Sequence, residues 1–159
     1  MTPHPSPPIA LDPGRRQVAA WQAIREMVME HLAVRRAEIS HRLGVSFIKA
    51  KALRRLSSGP LTMGELTASL GTDPPYTSVV VGDLVDRRLA VRATHPSDRR
   101  RKIIDLTPAG REMADLAQEI LDRPPAGFTN FSAEELEHLV TLFARTAGVA
   151  VSRGRRSPR

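Results

Sequence analysis

The stretch that decides the fold is residues 71–78, which read GTDPPYTS. Gly71 suits the C-terminal end of one helix, Asp73 suits the N-cap of the next, and Pro74 suits its first helical position. Two helices are therefore expected to meet across a tight turn. The apolar period of the second helix continues to about Arg88.

Three helices are predicted up to this turn from apolar residues spaced by three or four. The first covers about 15–36. The second starts after Ser46 as its N-cap and runs to Leu56. Thr62 and Glu65 fit a capping box, which opens a short third helix.

Beyond the second helix of the pair, the period predicts two short strands, at 89–94 and 102–107, around a turn at 95–101. Asp98 is the single acid between positions 87 and 102, and the basic residues there are Arg87, Arg88, Arg92, Arg99, Arg100, Arg101 and Lys102. A helix pair followed by a basic hairpin suits the grooves and phosphates of duplex DNA. An arginine run alone is also typical of a solvated turn, so the order of the elements carries the prediction.

Two further helices close the globular part of the chain. Thr107 caps the first, which stops at the prolines 124–125, and a second capping box from Ser132 to Glu135 opens the last. The fold class is therefore mainly α with a small β-hairpin wing (α+β).

Composition limits the remaining possibilities. The 159 residues carry a formal net charge of +7, which suits a polyanionic partner. The chain has no cysteine, which excludes disulfides and thiolate chemistry. No segment approaches the roughly 18 apolar residues of a membrane span, so we expect a cytoplasmic protein without a membrane partner. The proline-rich residues 1–13 and the basic residues 152–159 are expected to be a disordered arm and tail.

The sequence contains no pattern typical of an enzyme. There is no glycine-rich phosphate loop, no Ser-His-Asp set and no pair of catalytic carboxylates. The histidines lack paired metal-ligand spacing, and a solvated helix face is favoured over a ligand pair for His138. We therefore expect no catalysis, no metal and no cofactor.

The stretch from about Ser46 to Met113 resembles the MarR family of bacterial regulators. The resemblance lies in 71–78, in 95–100 and in the motif Leu106-Thr107-Pro108-Ala109-Gly110. It implies a homodimer in which each subunit has a winged helix-turn-helix lobe at 46–108. The helices within 14–45 and 109–151 would then form the dimer interface.

The resemblance also implies which residues contact DNA. The helix starting at Pro74 would be the recognition helix, with Pro75, Tyr76, Thr77 and Ser78 at its leading end. Arg99 would enter the minor groove at the wing tip, oriented by Asp98, and the further basic candidates are Arg88, Arg100 and Arg101. Packing of the Tyr76 ring on a neighbouring helix is an equally favoured interpretation. The chain departs from the family pattern at Val79 and at Gly82-Asp83, which implies few base-specific contacts from this helix.

The family resemblance further implies a repressor that is released by a small aromatic effector. The candidates for lining the effector cleft are Trp21, Met27, His31 and Phe47, and core or interface packing is the alternative for each. Two other functions stay open. One is an architectural protein that binds DNA with little sequence preference. The other is a winged fold that recognises a protein.

Overall fold

The computed structural model describes the backbone of residues 12–95 and 98–147, with their side chains except those of 95, 98–101 and 147. Its elements in chain order are α1 (Pro13–Leu43), α2 (Phe47–Leu56), β1 (Leu61–Thr62), α3 (Met63–Leu70), α4 (Pro74–Asp86), β2 (Ala90–His95), β3 (Asp98–Leu106), α5 (Pro108–Asp122), a 3-10 turn (Ala126–Asn130) and α6 (Ala133–Ala147). The predicted tail at 152–159 and the predicted arm up to residue 11 lie outside the described residues. The mainly helical fold with a small antiparallel sheet is confirmed.

Helix α1 is longer than predicted at both ends. Asp12 is its N-cap and accepts a 2.8 Å hydrogen bond from the amide of Gly14, so residues 12 and 13 begin the helix instead of belonging to an arm. Gly44, with φ of 63°, ends it in the left-handed conformation. The apolar period used for the prediction ended before Arg36, but Ile39, three residues further on, is fully buried and anchors the helix.

The core of residues 12–123 lies between α2, α3, α4, α5 and the sheet. Leu53, Leu56, Leu66 and Leu84 are fully buried in it. The boundaries of α2 and α3 match the prediction, and Thr62 and Glu65 form the predicted capping box. Ser46 is the N-cap of α2, as predicted, although its hydroxyl makes no capping hydrogen bond.

The sheet has three antiparallel strands in the order β1-β3-β2. Strand β1 was not predicted, because two residues show no alternation, and it pairs Leu61 with Ile104. Strands β2 and β3 form the predicted hairpin, but β3 already starts at Asp98. The backbone of Arg99, Arg100 and Arg101 therefore lies in a strand, where the sequence predicted a turn. Cross-strand pairing extends the hairpin further than local patterning indicated.

Residues 124–147 form a second compact unit. Ser132 and Glu135 form the predicted capping box, with reciprocal hydrogen bonds of 2.8 and 3.3 Å, and the amide of Ser132 is the main cause that lowers the pKa of Glu135. The rings of Phe128 and Phe131 meet edge to face with centroids 5.6 Å apart. The side chains of Phe128, Leu136, Leu139, Val140 and Phe143 line an entirely apolar groove along α6.

Within the parts of the chain that the structure describes, no helix is both long and apolar enough to cross a membrane. Among the side chains that it describes, no three His, Asp or Glu residues gather in a way that fits a metal ion.

Candidate nucleic-acid interface

At the start of helix α4, the N-cap residue Asp73 already accepts the hydrogen bonds of the first backbone amides. Asp73 Oδ1 accepts a 2.8 Å hydrogen bond from the amide of Tyr76, and the Thr77 amide donates to the Asp73 carbonyl. Pro74 and Pro75 carry no amide hydrogen. Pro74, Pro75, Tyr76 and Thr77 therefore have no free backbone N–H to offer a phosphate. Contacts from α4 must therefore come from its side chains.

Thr77 is the one predicted contact on α4 that the structure contradicts. Its side chain is fully buried, and its hydroxyl donates to the Asp73 carbonyl over 2.9 Å. Because that bond uses the only hydroxyl hydrogen of Thr77, the hydroxyl of Thr72, 2.9 Å away, is the donor between the two threonines. Thr77 thus fixes the turn between α3 and α4 and has no surface for DNA.

The other leading residues of α4 point outward. Pro75 and Ser78 are exposed, and the Ser78 hydroxyl donates to the Pro74 carbonyl over 3.0 Å. Tyr76 is 47% exposed and Val79 is 66% exposed. Val79 is one of the departures from the family pattern, and it lies at the surface. These four residues define what we call the outer face of α4.

Asp83 fastens α4 to α2. Its Oδ2 atom lies 2.8 Å from Lys49 Nζ and 2.8 Å from Arg87 Nε, and Arg87 also donates to the Gly44 carbonyl. The hydrogen bond from Lys49 is the main cause that lowers the pKa of Asp83. The spacing of four between Asp83 and Arg87 is visible in the sequence. The partnership with Lys49 has no sequence signal, because α2 and α4 meet only in the fold.

The wing starts directly after α4. Arg88 adopts a left-handed backbone with φ of 59°, and its carbonyl accepts a 2.7 Å hydrogen bond from the Thr107 hydroxyl. Its side chain is exposed, as is that of Arg92 on β2. The side chains of Asp98, Arg99, Arg100 and Arg101 lie outside the described residues, so their predicted roles remain predictions.

The four predicted cleft residues do not line one pocket in the described structure. Trp21 and Met27 are 62% and 37% exposed on α1, while His31 Nε2 donates to the Arg123 carbonyl over 2.9 Å. Phe47 alone lines a pocket of about 170 Å³, on α2, with Lys51, Arg54 and Arg55. The guanidinium of Arg36 covers the Phe47 ring at 4.6 Å from its centroid. Sequence analysis did not single out Lys51, Arg54 and Arg55, because cations at such positions are typical of the polar side of any amphipathic helix.

Glu38 joins α1 to the end of α5. Its carboxylate accepts hydrogen bonds from Arg35, Arg42 and Arg123 over 2.8, 3.1 and 3.0 Å. The hydrogen bond from Arg42 is the largest of the causes that lower the pKa of Glu38. This cluster holds α1 against the C-terminal end of α5.

The comparisons with known proteins agree with this geometry. The MarR family model matches residues 43–101, which run from the end of α1 through the outer face of α4 into β3. This part of the chain is therefore similar to the MarR family. The MarR match covers the helix pair, strand β2 and the first residues of β3, so the resemblance seen in the sequence is confirmed.

Solved structures extend the MarR likeness over most of the chain. MepR, a transcription regulator of the Staphylococcus aureus multidrug efflux pump MepA, has a TM-score of 0.67 at 19% identity, covering 79% of this chain and 94% of MepR. A MarR variant from E. coli complexed with operator DNA has a TM-score of 0.60 at 18% identity, covering 86% and 99%. A probable transcriptional regulator from Pseudomonas aeruginosa is 29% identical, with a TM-score of 0.55 and coverage of 77% and 96%. The chain therefore has the fold of MarR family transcriptional regulators.

Proposed function

We propose that this protein is a sequence-specific DNA-binding transcriptional regulator that acts as a homodimer and represses its targets. In this proposal α4 lies in the major groove and the wing lies along the adjacent backbone and minor groove. Pro75, Tyr76 and Ser78 contact the duplex from the outer face of α4. Arg88, Arg99, Arg100 and Arg101 bind phosphates or the minor groove, with Asp98 orienting Arg99.

The observation that carries the proposal is the outer face of α4, exposed and followed immediately by a basic hairpin. Helix α4 is fastened from behind by the ion pairs of Asp83 and by the buried Thr77, so its outer face is held in a fixed orientation. A rigid helix that projects beside a cationic strand pair is the arrangement that groove binding needs. The MarR variant solved with operator DNA has the same fold, which supports the proposal.

The proposed homodimer rests on apolar side chains left uncovered in one copy. On α1, the exposed apolar side chains are Val18, Trp21, Met27, Val28, Met29 and Val34. On α6, Val140, Leu142 and Phe143 are 43% to 55% exposed. A soluble monomer rarely exposes so many large apolar side chains, and where they are exposed they mark a protein interface. A second copy that covers both helices removes it from water.

The test is fluorescence anisotropy with the duplex from the protein's own upstream region, measured against unrelated competitor DNA over a salt series. We expect a sequence-preferring complex whose affinity falls steeply with salt, because cations on the protein displace counterions. Arg99→Ala should weaken the complex. It should also reduce the slope of log affinity against log salt concentration by about one, the change expected for one lost phosphate contact. Arg25→Ala, which removes an exposed arginine of α1, is the matched control and should leave the slope unchanged.

Other outcomes identify other functions. Equal affinity for every duplex contradicts sequence-specific regulation and indicates an architectural DNA-binding protein. An absence of binding at moderate salt, with the fold intact, contradicts DNA recognition and favours a winged fold that binds a protein. Loss of Arg99 and Arg100 would leave that protein recognition largely unchanged.

The proposed effector is a small aromatic molecule that releases the DNA. The pocket beside Phe47 offers an aromatic wall and three cationic neighbours, which together suit an aromatic acid. Such a ligand acts only if it binds the DNA-free arrangement more tightly than the DNA-bound one. Benzoate titrated into the DNA complex should lower its anisotropy in wild type and not in Arg55→Ala. Equal release from both proteins would contradict this pocket.

A further inference from the structure

Helix α4 lacks the side chains that usually read base edges. Between Pro74 and Asp86 it contains no Arg, Lys, Asn, Gln or His, and these are the residues that pair with guanine or adenine through two hydrogen bonds. Of its two acids, Asp83 is bound by Lys49 and Arg87, and Asp86 is the last residue of the helix, at the end opposite to Pro75, Tyr76 and Ser78. Its buried hydroxyl, that of Thr77, faces the protein interior. A helix of this composition cannot gain sequence preference mainly from charged hydrogen bonds.

Val79 lies at the centre of the surface that α4 presents outward. The buried residues Thr77, Val80, Val81 and Leu84 form the inner face, and Val79 lies on the opposite side of the helix. With 66% of its surface exposed, it is the most exposed of the large apolar side chains that the structure describes. Tyr76, three residues earlier, extends the same apolar surface. Exposure of a branched apolar side chain costs free energy in the free protein unless a partner covers it.

The next turn along this face is occupied by Gly82. A Cβ atom at this position would meet nothing within 4 Å, so packing within the protein does not require a glycine. Glycine inside a helix costs about 1 kcal/mol relative to alanine. The absence of a side chain next to Val79 lets another molecule approach the helix backbone closely.

We infer that Val79 is a specificity-determining residue that reads thymine by packing on its C5 methyl group. This inference rests on the proposed function, because it requires α4 in the major groove. Thymine is the base that exposes an apolar group there, and apolar side chains are its natural contacts. Gly82 lets the helix lie deep enough for Val79 to reach the base. Sequence preference at this position then comes from a methyl group and not from a hydrogen bond.

The test changes only that methyl group. The preferred duplex is first selected from a random library by the wild-type protein. Each thymine of one half-site is then replaced in turn by deoxyuridine, which keeps the pairing edge and lacks the methyl. We expect one or two positions at which wild-type affinity falls about fourfold, the loss that corresponds to one buried methyl-sized group. In Val79→Ala the same replacements should cause a clearly smaller loss, because alanine retains one methyl group where valine offers a branched side chain.

Val79→Ala is expected to fold, because the site is exposed and alanine favours helix, and circular dichroism verifies this. Leu116→Ala, which truncates a 42% exposed side chain on α5, is the matched control and should keep the wild-type methyl dependence.

Two results would overturn the inference in distinguishable ways. If wild type selects a sequence but no deoxyuridine position weakens binding, or if Val79→Ala loses as much affinity at that position as wild type does, Val79 does not read thymine and the regulator function stands. If the selection recovers no preferred sequence at all, the proposed sequence-specific function fails, and the inference fails with it.

Discussion

Gly110 lies where the first turn of α5 crosses the backbone of Leu89. A Cβ atom there would stand 1.9 Å from the Leu89 carbonyl oxygen and 3.3 Å from Leu106 Cδ2. Thr107 fixes the crossing, because its hydroxyl accepts from the Gly110 amide and donates to the Arg88 carbonyl. The motif Leu-Thr-Pro-x-Gly is therefore a packing motif that joins the wing to α5.

Gly110→Ala should lower the free energy of unfolding by about 2 kcal/mol or more, since the obstructing atoms belong to backbone and cannot rotate away. Gly82→Ala is the matched substitution at a glycine with open space around it. It should raise stability by about 1 kcal/mol, or roughly 2–4 °C in Tm. Thermal unfolding followed by circular dichroism measures both. Similar shifts in the two variants would contradict the different surroundings described for these glycines.

Thr77 and Ser78 are adjacent hydroxyl residues with opposite expected roles. Thr77→Val removes a buried hydroxyl between Thr72 and the Asp73 carbonyl, and should cost about 1–2 kcal/mol of stability. At temperatures where the variant is folded, its DNA affinity should stay close to that of wild type. Ser78→Ala should leave stability nearly unchanged and weaken DNA binding. Denaturant titration measures the free energy of unfolding, and anisotropy measures DNA affinity. A loss of DNA affinity in Thr77→Val together with a loss of stability in Ser78→Ala would contradict these roles.

At the scale of elements, Glu38 links α1 to α5 through three arginines. Because its pKa is lower in the folded protein than in the unfolded chain, its ionised form stabilises the fold at neutral pH. That contribution is present above the ordinary pKa of a glutamate. It is lost as the pH falls through the lower, folded value.

Glu38→Gln should therefore be less stable than wild type at pH 7, and the difference should shrink steadily below about pH 4.5. Urea unfolding at pH values from 7 to 3 measures it. Glu30→Gln alters an exposed glutamate of the same helix and should follow the wild-type profile. A stability gap between Glu38→Gln and wild type that persists unchanged at pH 3 would show that the carboxylate charge is not its source.

At the scale of the whole molecule, Trp21 reports assembly because it is the single tryptophan and is 62% exposed in one copy. If α1 is covered by a second copy, Trp21 fluorescence should shift to shorter wavelength as protein concentration rises, in parallel with a doubled mass in sedimentation. Val28→Asp places a charge seven residues further along the same helix face and should give a monomer. Glu30→Gln should remain dimeric. A wild-type protein that stays monomeric at high concentration would contradict the proposed homodimer.

Features that the sequence determined by itself are local. Asp73 with Tyr76, Thr62 with Glu65, and Ser132 with Glu135 each bond within three residues, so the helix starts were predictable from the order of residues alone. The position of Pro75, Tyr76 and Ser78 in the first turns of α4 followed from the same helix start.

What only the tertiary structure decided depends on partners distant along the chain. The true end of α1 depends on the burial of Ile39 and on the bonds of Glu38 to Arg123. Strand β1 exists because β3 pairs with it. Thr77 was predicted to contact DNA but is buried. Its hydroxyl is hydrogen-bonded to Thr72 and to the Asp73 carbonyl, and no surface of its side chain is left for solvent. Helical periodicity says which residues share a face, whereas contacts between elements decide which face is covered.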